Sequence, residues 1–281
     1  MQKNRMISAI IKGNFAGWII NYKIYIVVIL LTIFTLDNYA NVFKFAQEVQ
    51  CRVTPFLFPF LFTHPFMKLV VFTCVIFAFS NAPFVSSIQL LLMSRSGKSA
   101  WYLAQIIYVA ICTIIITMFL IMLPIIRHFN LIVIKGDWGK VWINLANNYE
   151  IINPSDYTVI SRYSASETML YTVVMFFLVV MFIAMILMFF NTVFPNKGLG
   201  IVLSSIFVIL EFMYTLTGNN IILWISPISW INISNMSYSR ENFVPSIKYG
   251  VTMMIVLNML LIIGTYMKSK RKDIAVIVDE I

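Results

Sequence analysis

The sequence predicts an all-α integral membrane protein with six transmembrane helices, and three observations support this fold class. Hydrophobic residues make up 60% of the 281 residues and charged residues only 11%, whereas about 25% of an ordinary soluble domain is charged. The mean hydropathy is +0.89. The apolar residues also fall into separate runs, and a run of roughly 20 residues can cross a bilayer as a helix. We therefore expect one transmembrane domain that covers residues 1–281.

The net charge of +9 limits the classes of partner. In a soluble chain it would indicate nucleic-acid binding. In this chain we expect the lysines and arginines to orient the spans and to contact anionic lipid headgroups. Membrane lipid is therefore a predicted partner and nucleic acid is not. The three cysteines are widely spaced, and they predict neither a zinc site nor a disulfide framework.

Residues 1–23 carry four basic side chains among apolar residues at helical spacing. This pattern predicts an amphipathic helix on the inner membrane surface. A frayed basic tail is the alternative, but Trp18 is typical of a membrane interface. Span 1 is predicted from about Trp18 to Leu36. No small-residue cleavage site follows it, so we expect this span to be retained rather than removed as a signal peptide.

Span 2 is predicted from about Leu69 to Ser80. It follows the aromatic segment 37–68, whose three central prolines exclude a strand and whose phenylalanines favour the membrane interface. Residues 217–247 are mixed in composition. Their apolar piece, NNIILWISPISWINIS at 219–234, is broken at Pro227 and too short on either side to span, so we expect a re-entrant or interfacial element there. The other spans are predicted at about Trp101–Ile126, Glu167–Phe190, Leu199–Leu216 and Tyr249–Met267.

The distribution of basic residues predicts that both termini lie in the cytoplasm. Eleven of the twenty lysines and arginines fall in the segments that this orientation places inside, although these segments are shorter than the outer ones. Positive charge favours the cytoplasmic side of a membrane protein. The inner segments are 1–23, 81–100, 193–198 and 268–281.

The segment 81–98 joins spans 2 and 3 and predicts a short helix at the inner surface. Asn81 and Pro83 suit the start of a helix, and Gly97 suits its end. Arg95 and Lys98 lie near its C-terminal end, where the helix dipole favours cations. We expect this helix to be displayed between the two spans as a docking surface for a separate motor protein.

One face of the predicted docking helix is apolar. It is formed by Phe84, Ile88, Leu91 and Leu92, whereas Ser86 and Gln89 fall on another face. The residues that we expect to couple the chain to its partner are Pro83, Phe84, Ile88, Leu91, Arg95 and Lys98.

The sequence lacks the motifs of several enzyme classes. His64 and His128 belong to no HExxH motif and have no neighbouring carboxylate, and there is no GxSxG motif. Residues 96–99 resemble the end of a phosphate-binding loop, but Leu92 occupies the position that requires glycine. We therefore expect no catalytic residue, no metal site and no cofactor bound by this chain.

Three polar residues within the spans are candidates for a transport pathway. Glu211 lies in span 5, where a carboxylate at the bilayer centre would cost on the order of 3 kcal/mol. It either faces a partner or a pathway, or lies near the outer interface and is hydrated. Glu167 lies at the outer end of span 4, which favours hydration. Asn258 lies in span 6, where asparagine often forms a hydrogen bond between helices.

Four stretches resemble a known family: PFLFPFLFTHPF at 55–66, SNAPF at 80–84, SRSGKSAWYLAQIIY at 94–108 and ISPISW at 225–230. In these stretches and in its layout the chain resembles ABC-2 type transporter permeases, above all bacterial permeases of peptide or antimicrobial export. The resemblance implies a multi-pass subunit of the bacterial plasma membrane without its own ATPase. It would pair with a second permease subunit and dock on ABC ATPase subunits that bind ATP and magnesium.

The resemblance also implies roles for particular segments. The helix after Pro83 would lie in a groove of the ATPase, with Arg95 and Lys98 at the rim, and residues 217–235 would close the pathway from outside. A secondary transporter or channel is the alternative. It would need polar or charged residues converging at mid-membrane and often internal repeats, but Glu211 is the one candidate carboxylate there and no repeat is visible. An intramembrane enzyme would need paired carboxylates or metal ligands, which the spans lack.

Overall fold

The structure is a computed structural model that describes residues 2–85, 87–146, 154–194, 198–237 and 243–271. Within these ranges the chain forms eleven α-helices, short 3-10 helices and isolated β-bridges, but no strand. The α-helices are α1 (Gln2–Ala16), α2 (Tyr22–Glu48), α3 (Pro65–Phe79), α4 (Ser87–Ser96), α5 (Lys98–Arg127), α6 (Gly139–Ala146), α7 (Pro154–Arg162), α8 (Ala165–Val193), α9 (Gly198–Thr217), α10 (Asn220–Ile225) and α11 (Ile247–Arg271).

Five of these helices, α2, α5, α8, α9 and α11, are long and apolar enough to cross a membrane. They confirm the prediction of a multi-pass helical membrane protein. The remaining predicted span corresponds to α3, which has 15 residues. A helix of that length rises about 22 Å, which is less than the hydrocarbon thickness of about 30 Å. The number of six spans and the N-in, C-in orientation therefore stay predictions.

Helix α2 extends well beyond the predicted end of span 1. It begins at Tyr22 rather than Trp18 and ends at Glu48 rather than Leu36. The predicted end was wrong because the apolar stripe continues past the exposed Asp37. The buried residues of α2 keep the helical spacing throughout: Val27, Leu31, Thr35, Tyr39, Phe43 and Ala46.

Helix α8 occupies the centre of the bundle and packs against α3, α5, α9 and α11. In its most apolar window 67% of the residues are buried, against 22–33% in the other four long helices. Gly200 allows α9 to approach α8 closely, since a Cβ at this position would lie 3.2 Å from the backbone of Leu187. Small residues permit such close contact between membrane helices.

Taken in chain order, α2, α3, α5, α8, α9 and α11 alternate in direction, so the bundle has two ends. At one end, which we call the α1 end, the Lys23 ammonium at the start of α2 donates to the hydroxyl of Ser80 after α3. The Asn191 amide near the end of α8 donates to the carbonyl of Ala82 at 2.7 Å. The other end, which we call the α7 end, contains α6, α7 and α10.

Two irregular segments are buried at the α7 end, namely 51–64 and 226–237. The 3-10 helix Phe58–Phe62 is buried along its whole length, and its rings pack against Phe176 of α8. Tyrosine hydroxyls donate to backbone carbonyls of both segments: Tyr39 to Leu57, Tyr171 to Trp230 and Tyr163 to Met236. Irregular backbone is tolerated in a membrane protein where protein groups satisfy it in this way. The proline-broken part of segment 37–68, which was predicted to lie at the membrane interface, is therefore part of the protein core.

The amphipathic N-terminal segment forms α1, followed by the 3-10 helix Gly17–Ile19. Arg5 and Lys12 are exposed, as the pattern predicts. Ile10 on the opposite face is fully buried, because α1 packs against α4 and α5. The apolar face of α1 thus contacts protein.

Candidate functional sites

Helix α4 is the part of segment 81–98 that forms a regular helix, and it ends where the sequence predicts. Gly97 has φ +81°, a value that glycine adopts without strain, and its N–H donates to the Met93 carbonyl at 2.9 Å. The predicted start was wrong, because α4 begins at Ser87 rather than near Asn81. The Asn81 side chain does not cap the helix but accepts a hydrogen bond from the Lys23 ammonium.

The predicted coupling residues do not share one surface. Leu91 is 65% exposed and Arg95 is exposed beside it, so these two form the outward face of α4. Phe84 packs edge-on against Tyr108 of α5 with a centroid distance of 5.0 Å. Pro83 is half-buried before α4, and Lys98 is half-buried at the start of α5. The side chain of Ile88 lies outside the described residues.

The inward face of α4 is held by the side-chain amide of Gln89, which is only 2% exposed. Its Nε2 donates to the Ile10 carbonyl at 3.0 Å and to Asn14 Oδ1 at 2.9 Å, both in α1. Its Oε1 accepts a hydrogen bond from the indole N–H of Trp101 in α5 at 3.1 Å. One side chain thus joins three helices.

A second buried amide extends this network. Gln105 of α5 accepts a hydrogen bond from the Asn14 amide at 3.3 Å and donates to the Phe84 carbonyl at 3.1 Å. Asn14, Gln89, Gln105 and Trp101 therefore form one connected set, which we call the amide network. Sequence reasoning missed it because Gln89 was placed only on a face away from the apolar one, and because the partners that a buried amide needs depend on how the helices pack.

The second site is a buried ion pair near the α7 end. The ammonium of Lys68 in the first turn of α3 contacts the Oε1 atom of Glu211 in α9, and the two side chains are 3% and 4% exposed. The Ser229 hydroxyl donates to the other carboxylate oxygen of Glu211. Removing two charges from water is costly, and their mutual attraction together with further hydrogen bonds offsets that cost.

The irregular segment 226–237 is held to this ion pair by its serines. The hydroxyls of Ser226 and Ser229 lie 2.7 Å apart, and the Asn235 amide donates to the Ser229 carbonyl at 3.0 Å. Both serines are fully buried. The carboxylate of Glu211 is therefore a junction between α3, α9 and the segment that follows α10.

The structure settles the surroundings of Glu211 but not its role. The alternative of a hydrated side chain at the outer interface is wrong, since the carboxylate is buried and has Lys68 as its partner. Sequence reasoning missed Lys68, because this lysine was assigned to the aromatic segment 37–68 before span 2. A lysine that is followed by an unbroken apolar run was the one available signal. A role of Glu211 in a pathway stays a prediction.

The other two pathway candidates lie apart from Glu211. Glu167 is exposed and accepts a hydrogen bond from the Ser164 hydroxyl at 2.8 Å, while its own N–H donates to that oxygen. Ser164 is thus the N-cap residue of α8, and the Glu167 side chain is held beside it at the start of the helix. Asn258 is buried in α11, and its amide donates to the Leu178 carbonyl of α8 at 3.0 Å. It is a link between two helices.

The chemistry available to these sites is hydrogen bonding and charge pairing. Within the described ranges, no three histidine, cysteine or acidic side chains come together in a way that could hold a metal ion. Comparison with known proteins finds no matching family model, no matching curated protein and no matching solved structure. Function is therefore inferred from the outward face of α4, the amide network and the buried ion pair.

Proposed function

We propose that this chain is the permease subunit of an ATP-driven exporter of the ABC-2 type in the bacterial plasma membrane. It would form the translocation pathway together with a second permease subunit. Separate ABC ATPase subunits would bind ATP and magnesium and would dock on α4. The transported molecule would be a peptide. The main support is that α4 is fixed firmly to the bundle while it presents an unburied apolar and basic face.

A coupling helix must transmit displacement without bending away from the helices that it moves. The single residue Gly97 separates α4 from the 30-residue α5, and the amide network links α4 to α1. Breaking any of these buried hydrogen bonds would leave an unpaired polar group, at a cost of about 1–3 kcal/mol each. A push on α4 would therefore move α1 and α5 together with it.

The outward face of α4 has the composition of a protein-binding surface. Leu91 would supply an apolar side chain, and Arg95 one turn further along would supply a cation. Neighbours at this spacing lie on the same side of a helix. The complementary surface would be an apolar groove with an acidic rim on the ATPase.

Co-purification with the native ATPase tests this proposal. Leu91→Asp combined with Arg95→Glu should release the ATPase from the detergent-solubilised complex, because both changes act on exposed side chains of α4. Lys44→Glu is the control, since Lys44 is exposed on α2 far from α4. If the wild-type chain purifies without any ATPase, or if the double variant retains it, the proposed docking surface is wrong.

A secondary transporter or channel is the second candidate, and the buried pair of Lys68 and Glu211 is the observation that favours it. Ionisable residues buried among membrane helices often line ion or proton pathways. Reconstitution into vesicles separates the two candidates. Transport that requires ATP and the partner subunit supports the exporter, whereas transport on an ion gradient by this chain alone supports the alternative.

A further inference from the structure

A cavity of about 500 Å³ lies between α2 and α5 near the α1 end. This volume falls within the range of about 300–1,000 Å³ that is typical of ligand sites. The two long walls of the cavity are apolar faces of helices. They are formed by Ile24, Val27, Val28 and Leu31 of α2 and by Cys112, Ile115, Ile116 and Phe119 of α5.

The cavity is polar only where it approaches α1. The side chains of Asn14, Asn21 and Asn81 line this part, together with Trp18 and Tyr108. The indole N–H of Trp18 donates to the Tyr108 hydroxyl. A molecule that matches this lining has one polar end and one long apolar part.

Lys23 places a positive charge next to the polar part of the cavity. Its ammonium donates to the Ser80 hydroxyl at 2.8 Å and to Asn81 Oδ1 at 2.9 Å, and lies 5.3 Å from the ring centroid of Phe77. These three partners are uncharged. Among the described residues the one ion pair is that of Lys68 and Glu211. The charge of half-buried Lys23 is therefore not balanced by a carboxylate in the described ranges, and it favours an anion.

The cavity opens sideways between α2 and α5. Val28 and Ile115, which lie on its two walls, are 42% and 40% exposed. Both helices are long and apolar enough to cross a membrane. The opening between them therefore faces the lipid of the bilayer, unless a second copy of the chain covers it. Lipid chains can enter from that side without passing through water.

We propose that the cavity binds one acyl chain of an anionic phospholipid, with the phosphate beside Lys23. The apolar walls match the chain, the asparagines match the glycerol ester region, and the ammonium matches the phosphate charge. This site is independent of the proposed coupling to an ATPase. The competing occupant is a second copy of the chain that covers the opening.

Photocrosslinking tests the lipid site on the full-length purified chain. Phosphatidylglycerol and phosphatidylcholine with a diazirine in one acyl chain are compared in phosphatidylcholine nanodiscs, and the adducts are mapped by mass spectrometry. We expect adducts on Val27, Cys112 and Ile116 to be about fivefold more abundant with phosphatidylglycerol, because one lysine near an anionic headgroup has an effect of this order. Lys23→Gln should remove this preference, whereas Lys44→Gln should keep it.

A second variant reduces the volume of the cavity. Gly17 lines the cavity, and a Cβ there would meet no atom within 4 Å, so Gly17→Leu adds a side chain at this position without a clash. It should reduce the cavity adducts and leave those on exposed Leu30 unchanged. Gly198→Leu is the matched control, since a Cβ at Gly198 also meets no atom within 4 Å.

Three outcomes would overturn the lipid site. The first is equal labelling by the two lipids in the wild-type chain, and the second is cavity labelling that Gly17→Leu leaves unchanged. The third is an efficient crosslink between two copies through Val28→Cys, because a second copy would then cover the opening. If Gly17→Leu does not fold, Lys23→Gln still decides the question, because it removes the positive charge without altering a residue that lines the cavity.

Discussion

Lys68 in α3 and Glu211 in α9 form an ion pair inside the helix bundle, where their side chains are 3% and 4% exposed. The carboxylate also accepts a hydrogen bond from the hydroxyl of Ser229. Three separate stretches of the chain thus meet at one buried charge. If either charged group is removed, the other remains buried in the bundle without a counter-charge.

Removing one charge of this pair should destabilise the protein strongly. Glu211→Gln should lower the free energy of unfolding by about 3–5 kcal/mol, because the Lys68 ammonium is then buried without a counter-charge. Unfolding in detergent measures this loss. Glu167→Gln is the control, since Glu167 is exposed at the start of α8. The double variant Lys68→Met/Glu211→Leu should recover most of the stability, and a double variant that is as unstable as the single one would contradict the ion-pair explanation.

Replacing Gln89 by leucine should loosen α1 from the bundle. The variant removes the hydrogen bonds that Gln89 makes with the Trp101 N–H, the Ile10 carbonyl and Asn14 Oδ1. Hydrogen exchange should therefore rise along α1, with little change in α9. Ser94→Ala serves as the control on the exposed side of the same helix. Unchanged protection of α1 in the Gln89→Leu variant would show that the amide network does not hold this helix.

The close contact between α8 and α9 requires a residue without a side chain at position 200, which is Gly200. A Cβ there would lie 2.7 Å from Asn191 Oδ1 and 3.2 Å from the Leu187 backbone, which cannot move aside easily. Gly200→Leu should lower the unfolding free energy by about 1–3 kcal/mol through overpacking. Gly198→Leu, two residues earlier on the same helix, should be close to wild type because its Cβ has open space. Equal stability of the two variants would exclude this close approach.

The stability of the protein should depend on the protonation of His128. Burial and the neighbouring Arg127 lower the pKa of His128, and its ring stacks on Phe43 with a centroid distance of 3.8 Å. As the pH falls below about 6.5, the unfolded chain binds a proton before the folded chain does, so stability decreases. His128→Gln should lose less stability than wild type between about pH 7 and pH 5. Parallel pH profiles of the two proteins would contradict this.

The long helices could be predicted from the sequence because each one is an apolar run of sufficient length. The predicted span Trp101–Ile126 differs from α5 by only a few residues at its start and one at its end. The end of α2 was missed because Asp37 interrupts the apolar run in the sequence. In the helix Asp37 is exposed, and the stripe of buried residues continues past it. The segment 51–64 was missed because its aromatic residues suit a membrane interface and a protein core equally well.

The sites were harder to predict than the helices. Gly97 could be predicted as the end of α4, because this position needs a positive φ that glycine adopts easily. The pairing of Lys68 with Glu211 could not be predicted, since it depends on how α3 and α9 pack rather than on any local pattern. The burial of Gln89 likewise depends on the position of α1, which the sequence alone does not fix relative to α4.

The described hydrogen bonds that attach α4 to α1 and α5 join amides, an indole and a backbone carbonyl. Asn14, Gln89, Gln105 and Trp101 neither gain nor lose a proton in the range in which proteins function, and ions in solution screen neutral hydrogen bonds little. The strength of the hydrogen bonds that attach α4 to α1 and α5 should therefore depend little on pH or salt concentration. The pH dependence that we expect from His128 arises instead at the α7 end of the bundle, where α2 and α5 end.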